Sequence, residues 1–191
     1  MRLFLVLVLA LWQSFSTSFA QAYTNNYATP LEMKMLPKLC QVRFQYGHEA
    51  PEFAKWKKIL GPEYIHVHHY CGGLIDMFQA NANSRHRKGN LESAKADFNY
   101  VLRNTQNPKF ILLPDLYYRL ALVSKGQGNI GEAIGYAEKS INAKRNYLNP
   151  YILLADIYIK AGKKSSAKKV LLQAKKYHPN SKRLKRRLQK V

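Results

Sequence analysis

A chain of 191 residues with 47% apolar content can bury the core of one domain or a short solenoid, which excludes disorder throughout. Thirty-one Lys and Arg against eleven Asp and Glu give a net charge of +20, so polyanions and acidic protein surfaces within about a Debye length are attracted to it. The charge does not say which of them is the partner.

At the amino terminus Arg2 precedes an unbroken apolar run from Leu3 to Trp12, followed by Gln13, Ser14, Ser16, Thr17 and Ser18. This is the layout of a secretory signal peptide, assigned to residues 1–22. Ser18-Phe19-Ala20 and Ala20-Gln21-Ala22 both satisfy the small-residue rule, which places cleavage after Ala20 or Ala22. An apolar run of roughly ten residues is well short of the ~20 that cross a bilayer as a helix, which argues against an uncleaved anchor. The first cysteine is Cys40, so no lipid-accepting cysteine stands near the cleavage region. The expected location is therefore the periplasm or the outside of the cell. In that oxidising compartment Cys40 and Cys71, the only pair, are expected to form a disulfide.

Residues 23–61 contain two helical segments, Pro30 to Tyr46 and Pro51 to Leu60, separated by Gly47-His48-Glu49-Ala50. Pro37 interrupts the first, and Gly61-Pro62 ends the second. The following segment, 62–106, carries His66, His68, His69 and Cys71, residue types that ligate zinc and copper. At about 100° per residue, His66 and His69 lie about 60° apart on a helix while His68 and Cys71 point to the opposite side, so no single metal takes all four. A two-histidine start completed by His48 or His86 is outweighed by histidines packed beside a disulfide, and no metal or cofactor is assigned. Cys71-Gly72-Gly73 and Gly126-x-Gly128 lack the strand and the Lys-Ser/Thr signature of a phosphate loop. No Gly-x-Ser-x-Gly elbow, paired-His zinc helix, Cys-x-x-Cys pair or calcium loop is present, so no catalytic residue is assigned and the chain is not read as an enzyme.

Residues 117–142 and 151–176 superimpose without gaps at a shift of 34, pairing Tyr117 with Tyr151, Leu120 with Leu154, Ala121 with Ala155, Gly128 with Gly162 and Ala133 with Ala167. Tyr151, Leu154, Ala155 and Tyr158 recur at helical intervals as one apolar stripe, Ala155 and Ala167 permit close helix approach, and Gly162 frees the turn. With Leu171, Ala174 and Pro179, residues 148–181 resemble the tetratricopeptide repeat family. Residues 114–147 resemble it too, with Ser124 at the second aromatic, Ala137 at the large position of the second helix and Arg145 in place of the closing proline. A more degenerate unit within 62–106 rests on Phe78, Ala82, Gly89, Ala94, Phe98 and Val101, with Asn81 at the family's Leu. The 39-residue separation of Gly89 and Gly128 predicts a longer connection around Asn107-Pro108-Lys109-Phe110.

The resemblance implies an all-α solenoid of about three antiparallel helix hairpins, capped by the amino-terminal helices and by a basic helix at 182–191. Exported bacterial tetratricopeptide proteins are similar in the block around Cys40 and His68-His69-Tyr70-Cys71. In that family the first helix of each hairpin lines the inner face, which implies Gln79, Asn83, Tyr118, Arg119, Leu122, Ile152 and Asp156 as the groove for a protein partner. The family's Lys and Asn positions for gripping a peptide carboxyl terminus hold Tyr118 and Ile152, and Leu122 and Asp156, so that clamp is not carried over. From Lys160 to Val191 the chain holds thirteen Lys and Arg and no acid. Lys182, Arg183, Lys185, Arg186, Arg187 and Lys190 are thus either a solvated cap or a docking strip for an acidic polymer or anionic membrane surface. Nucleic acid is the weaker choice for an exported chain. The expected role is an exported scaffold in an envelope or polysaccharide-export assembly, with polyanion binding as the alternative.

Overall fold

The computed structural model describes residues 28–46 and 50–191. The signal-peptide segment 1–22 and His48 lie outside the described residues. Regular structure among the described residues is entirely helical: α1 (Pro30–Met35), α2 (Lys38–Gln41) running into a π-helical turn (Val42–Tyr46), α3 (Pro51–Leu60), a 3-10 segment (Gly61–His66), α4 (Val67–Ala82), α5 (Arg87–Asn104), α6 (Leu113–Gly126), α7 (Ile130–Ala143), α8 (Leu148–Lys160), α9 (Lys164–Lys175) and α10 (Lys182–Leu188). Helices α4 and α5, α6 and α7, and α8 and α9 pack as hairpins, and α5 on α6 and α7 on α8 join one hairpin to the next. The fold is a helical solenoid. No described helix is long and apolar enough to cross a membrane.

In the last two hairpins the small residues sit where two helix backbones meet. Ala121, Ala133, Ala137, Ala155, Ala167 and Ala174 are fully buried, and Tyr151 and Leu171 fill the space beside them. The Tyr151 hydroxyl donates to the Arg145 carbonyl at 2.9 Å, satisfying its one polar atom inside the core. Gly128 and Gly162 close the two turns with φ of +84° and +71°, a left-handed conformation that side chains with a Cβ resist. Ser124, standing where the family has an aromatic, is also fully buried, and its hydroxyl donates to Glu132 Oε2 at 2.8 Å. The same carboxylate oxygen accepts Lys95 Nζ at 2.6 Å, so a polar bridge from α5 to α7 replaces the missing ring.

The first hairpin departs from the register expected of it. Helix α4 buries Tyr70, Cys71, Leu74 and Ile75, whereas Phe78 is half-buried and Ala82 exposed at its end. The turn is formed by residues 83–86, and Gly89 lies inside α5 instead of at a turn. Asn83 explains the early reversal: its Oδ1 accepts the Arg85 N–H at 3.0 Å in an Asx turn, and Arg87 Nη1 donates to the Ala80 carbonyl at 3.1 Å. On α5 the buried residues Ala94, Phe98 and Val101 are those expected. Gly72 and Gly73 allow the two helices to touch, because a Cβ there would stand 2.5 Å from Asp97 Oδ2 and 2.7 Å from the Phe98 ring, respectively.

The amino-terminal helices are fixed to this hairpin. Thr29 and Glu32 form a capping box that starts α1. Leu36, preceding Pro37, takes an extended conformation that ends the helix, and Gln41 Nε2 holds the bend by donating to the Leu36 carbonyl at 2.9 Å. Cys40 on α2 and Cys71 on α4, both fully buried, are joined in a disulfide with Cα atoms 5.5 Å apart. Such a loop closure contributes roughly 3–4 kcal/mol through the unfolded chain. The connection at 105–112 is longer than that at 144–147 and folds back onto the block: Phe110 is buried, and the Asn107 N–H donates to Glu63 Oε1 at 3.1 Å.

Candidate functional site

The first helices of the hairpins, α4, α6 and α8, share a ladder of polar side chains. Tyr70 Oη donates to Asp115 Oδ2 at 2.6 Å, Arg119 Nε donates to the same oxygen at 3.0 Å, and Tyr147 Oη donates to Oδ1 at 2.6 Å. Asn149 Nδ2 reaches Tyr147 Oη at 3.5 Å, and Arg183 Nη1 on α10 donates to Asn149 Oδ1 at 2.9 Å. The ladder thus runs from α4 through α6 and α8 to α10 and sets their relative positions. Burial, and then the negative Asp115, push the Tyr70 and Tyr147 hydroxyls well above the ordinary tyrosine pKa. Both remain protonated donors at neutral pH and neither serves as a base.

Asp115, Asn149 and Arg183 occur at the same 34-residue interval as the apolar signature. That repeated polar register was visible in the sequence. It lies outside the apolar and small positions that define the family's signature. Tyr70 could not have been found in this way, since the first hairpin does not keep the period.

The implied groove residues fall into two sets. Tyr118 and Leu122 are partly buried on α6, with the Tyr118 ring edge-on to Tyr147 at 5.6 Å between centroids. Gln79 is half-buried on α4 and Asn83 is exposed at its end. Asn83 is engaged in the turn through the Arg85 N–H, and Arg119, Ile152 and Asp156 are engaged within the fold as well. Arg119 is bound to Asp115, Ile152 is only 4% exposed, and Asp156 accepts two hydrogen bonds from Arg187 at 2.6 and 2.7 Å. Ile152 belongs to the same buried cluster as Leu184 of α10.

The basic strip is divided likewise. Arg187 is held by Asp156, and Arg183 by Asn149, while Leu184 between them is buried. Lys182, Lys185, Arg186 and Lys190 are exposed. Helix α10 is therefore seated by Arg183, Arg187 and Leu184, and it turns its other cations outward.

The His68 and His69 rings touch, with centroids 4.3 Å apart, which corrects the expectation that His68 points to the side opposite His69; of His66, His68, His69 and His86, only the last stands apart. His69 Nδ1 lies 2.7 Å from Asp97 Oδ1, with its ring 3.9 Å from that of Tyr100, and His66 meets Tyr100 at 5.5 Å. His68 Nδ1 is 2.8 Å from the Ile65 carbonyl, and burial followed by the neighbouring His69 lowers its pKa. His86 caps the start of α5, at the other end of α4 from His66 and His69, roughly 20–25 Å away at the helical rise. Among the described residues no three His, Cys, Asp or Glu side chains converge to hold a metal ion.

Residues 125–190 match the family model described as tetratricopeptide repeat, covering the turn after α6 through α10. No curated protein matches the chain.

Proposed function

Because residues 125–190 match the model of the tetratricopeptide repeat, a family that generally binds protein partners, we propose that this chain is an exported scaffold whose partner lies on the face built by α4, α6 and α8. The observation that carries this reading is the Tyr70–Asp115–Tyr147–Asn149–Arg183 ladder, which fixes that face as one pre-arranged surface with Tyr118 and Leu122 beside it. A surface that is already ordered loses little conformational entropy on binding. The candidate contacts are Tyr118 and Leu122, which flank the ladder; Arg119 and Asp156 are held by ion pairs, Ile152 is covered, and Asn83 is engaged with Arg85 in the turn. Export is supported by the signal-peptide pattern of residues 1–22 and by the Cys40–Cys71 disulfide, which suits an oxidising compartment. Placement in an envelope or polysaccharide-export assembly rests on fold analogy. We read the chain as a binding protein.

A second reading, contact with an anionic lipid or acidic glycan, is favoured by exposed Lys182, Lys185, Arg186 and Lys190 in a segment without acids. Removing α10 would not separate the two readings, because it would also uncover the core around Leu184. Neutralising those four cations to Gln leaves the arginine and leucine contacts of α10 in place. The scaffold reading expects this variant to retain its protein partner at high ionic strength and Leu122→Glu to lose it, both measured by quantitative capture. Loss in the first variant with retention in the second would favour the polyanion reading.

A further inference from the structure

Two adjoining cavities of about 640 and 320 Å³ open where the first hairpin meets the second, and Arg87, Leu91 and Gly126 line both. The junction exists because α5 begins early, which adds the turn that carries Arg87 and Lys88, and because residue 126 has no side chain. A Cβ at Gly126 would stand 3.1 Å from Leu91 Cδ1 and 3.4 Å from Arg87 Nη2. Arg87, Lys88 and Lys95 line the larger cavity and Lys125 the smaller, with Glu92 the one acid among their lining residues. Lys95 is taken by Glu132 at 2.6 Å. Arg87 is held in place through Nη1, which donates to the Ala80 carbonyl at 3.1 Å and to Asn81 Oδ1 at 3.3 Å, so its Nη2 edge faces Gly126. Gln127 lines the larger cavity, and its Oε1 is buried with no hydrogen-bond partner.

We propose that this cleft binds an acidic side chain of an extended partner peptide, an inference that rests on the partner-binding reading above. Arg87 and Lys88 take the carboxylate, Arg87 being pre-oriented for it. Rotation of the Gln127 side chain, whose Oε1 loses no existing hydrogen bond, lets that oxygen accept the N–H of an adjacent peptide bond. This atom distinguishes a peptide from a free anion, because inorganic phosphate or sulfate fills a cationic pocket but has little to donate to a buried acceptor. Met77, Leu91 and Leu122 provide apolar walls for the residues flanking the acid, and Leu122 connects the cleft to the face beside Tyr118. The residues differ from the helix positions at which the family grips a peptide carboxyl terminus: Arg87 and Lys88 open the second helix of a hairpin, and Gln127 lies in a turn.

The test is ¹H–¹⁵N NMR of the mature chain titrated with three probes: an acetylated, amidated hexapeptide with a central Asp-Glu pair flanked by leucines, its Asn-Gln isostere, and inorganic phosphate. The acidic peptide is expected to shift the Lys88, Gln127 and Asn129 cross-peaks saturably, and the isostere to bind at least tenfold more weakly. Arg87→Gln is expected to reduce affinity at least tenfold. Lys88→Gln, on an exposed side chain, guards against a folding defect and should reduce it about threefold or more with the remaining spectrum unchanged. Phosphate shifting the same cross-peaks as tightly as the peptide overturns the proposal in favour of an anion site. Shifts confined to residues 160–191 also overturn it, as does the absence of any shift. Shifts at Tyr118 and Leu122 without the cleft overturn this subsite alone, whereas the partner-binding reading stands or falls on the capture experiment.

Discussion

The first hairpin and the last two are held together by different means. Helices α6 to α9 depend on a repeated arrangement in which alanines lie at the crossings, a glycine closes each turn and a tyrosine or leucine fills the remaining space. Helices α4 and α5 instead use contacts that occur once: Gly73 against the Phe98 ring, His69 beside Asp97, and a disulfide to α2. A periodic interface needs little besides its period, whereas an aperiodic one needs each specific contact. Substitutions should therefore have different consequences in the two regions.

Both regions share a dependence on their largest buried rings. Phe98→Ala and Tyr151→Ala each remove a fully buried aromatic side chain and are expected to cost about 3–5 kcal/mol in chemical denaturation. The next effect belongs to the first region alone. Replacing Cys40 and Cys71 together by Ser is expected to cost roughly 3–4 kcal/mol, with faster amide exchange in α2 and α4 and unchanged protection in α8 and α9. Equal loss of protection in α8 and α9 would mean that the solenoid opens as one unit, which would break the comparison.

A smaller pair of effects compares the regions directly with one substitution. Gly73→Ala drives a Cβ into the Phe98 ring and should destabilise by about 1–3 kcal/mol. Gly135→Ala, inside α7 with no atom within 4 Å of the new methyl, should stabilise by about 0.5–1 kcal/mol. The same sign at both positions in thermal melts would refute the close-approach account of α4 and α5.

The smallest effect is a pH dependence confined to the first region. His68 has its pKa lowered, chiefly by burial and then by His69, so the folded state binds its proton less readily than the unfolded chain. Its contribution is fully present above the ordinary histidine pKa of about 6.5 and is lost as pH falls through the folded value. His68→Asn should flatten the stability profile below the ordinary histidine pKa of about 6.5. An unchanged profile would remove His68 as the cause.

The sequence made the regular half legible because period and packing coincide there. Tyr151, Ala155, Ala167 and Leu171 are predicted and observed at the core, and Gly128 and Gly162 at the turns. The first hairpin was legible on α5, through Ala94 and Phe98, but not on α4. Its core is set by Tyr70, Leu74 and the glycine pair, and its turn by an Asx contact of Asn83 that leaves no periodic trace. The disulfide followed from having two cysteines and an export pattern. On the face of α4, α6 and α8 the family positions did not reveal that Arg187 holds Asp156 or that Ile152 is covered. Those contacts depend on where α10 settles, and the expectation of a basic cap at 182–191 did not say which of its cations would be taken up in seating it.

The central claim is that a protein partner lies on the face of α4, α6 and α8. Its most direct test places a photo-reactive amino acid at Tyr118 or, for comparison, at exposed Leu172 on the outer side of α9, in the full chain expressed in the cells that make it. The account predicts a discrete protein crosslink from position 118, preserved at high ionic strength and absent from position 172. Crosslinks from position 172 alone, or adducts that vanish when Lys182, Lys185, Arg186 and Lys190 are neutralised, would contradict it.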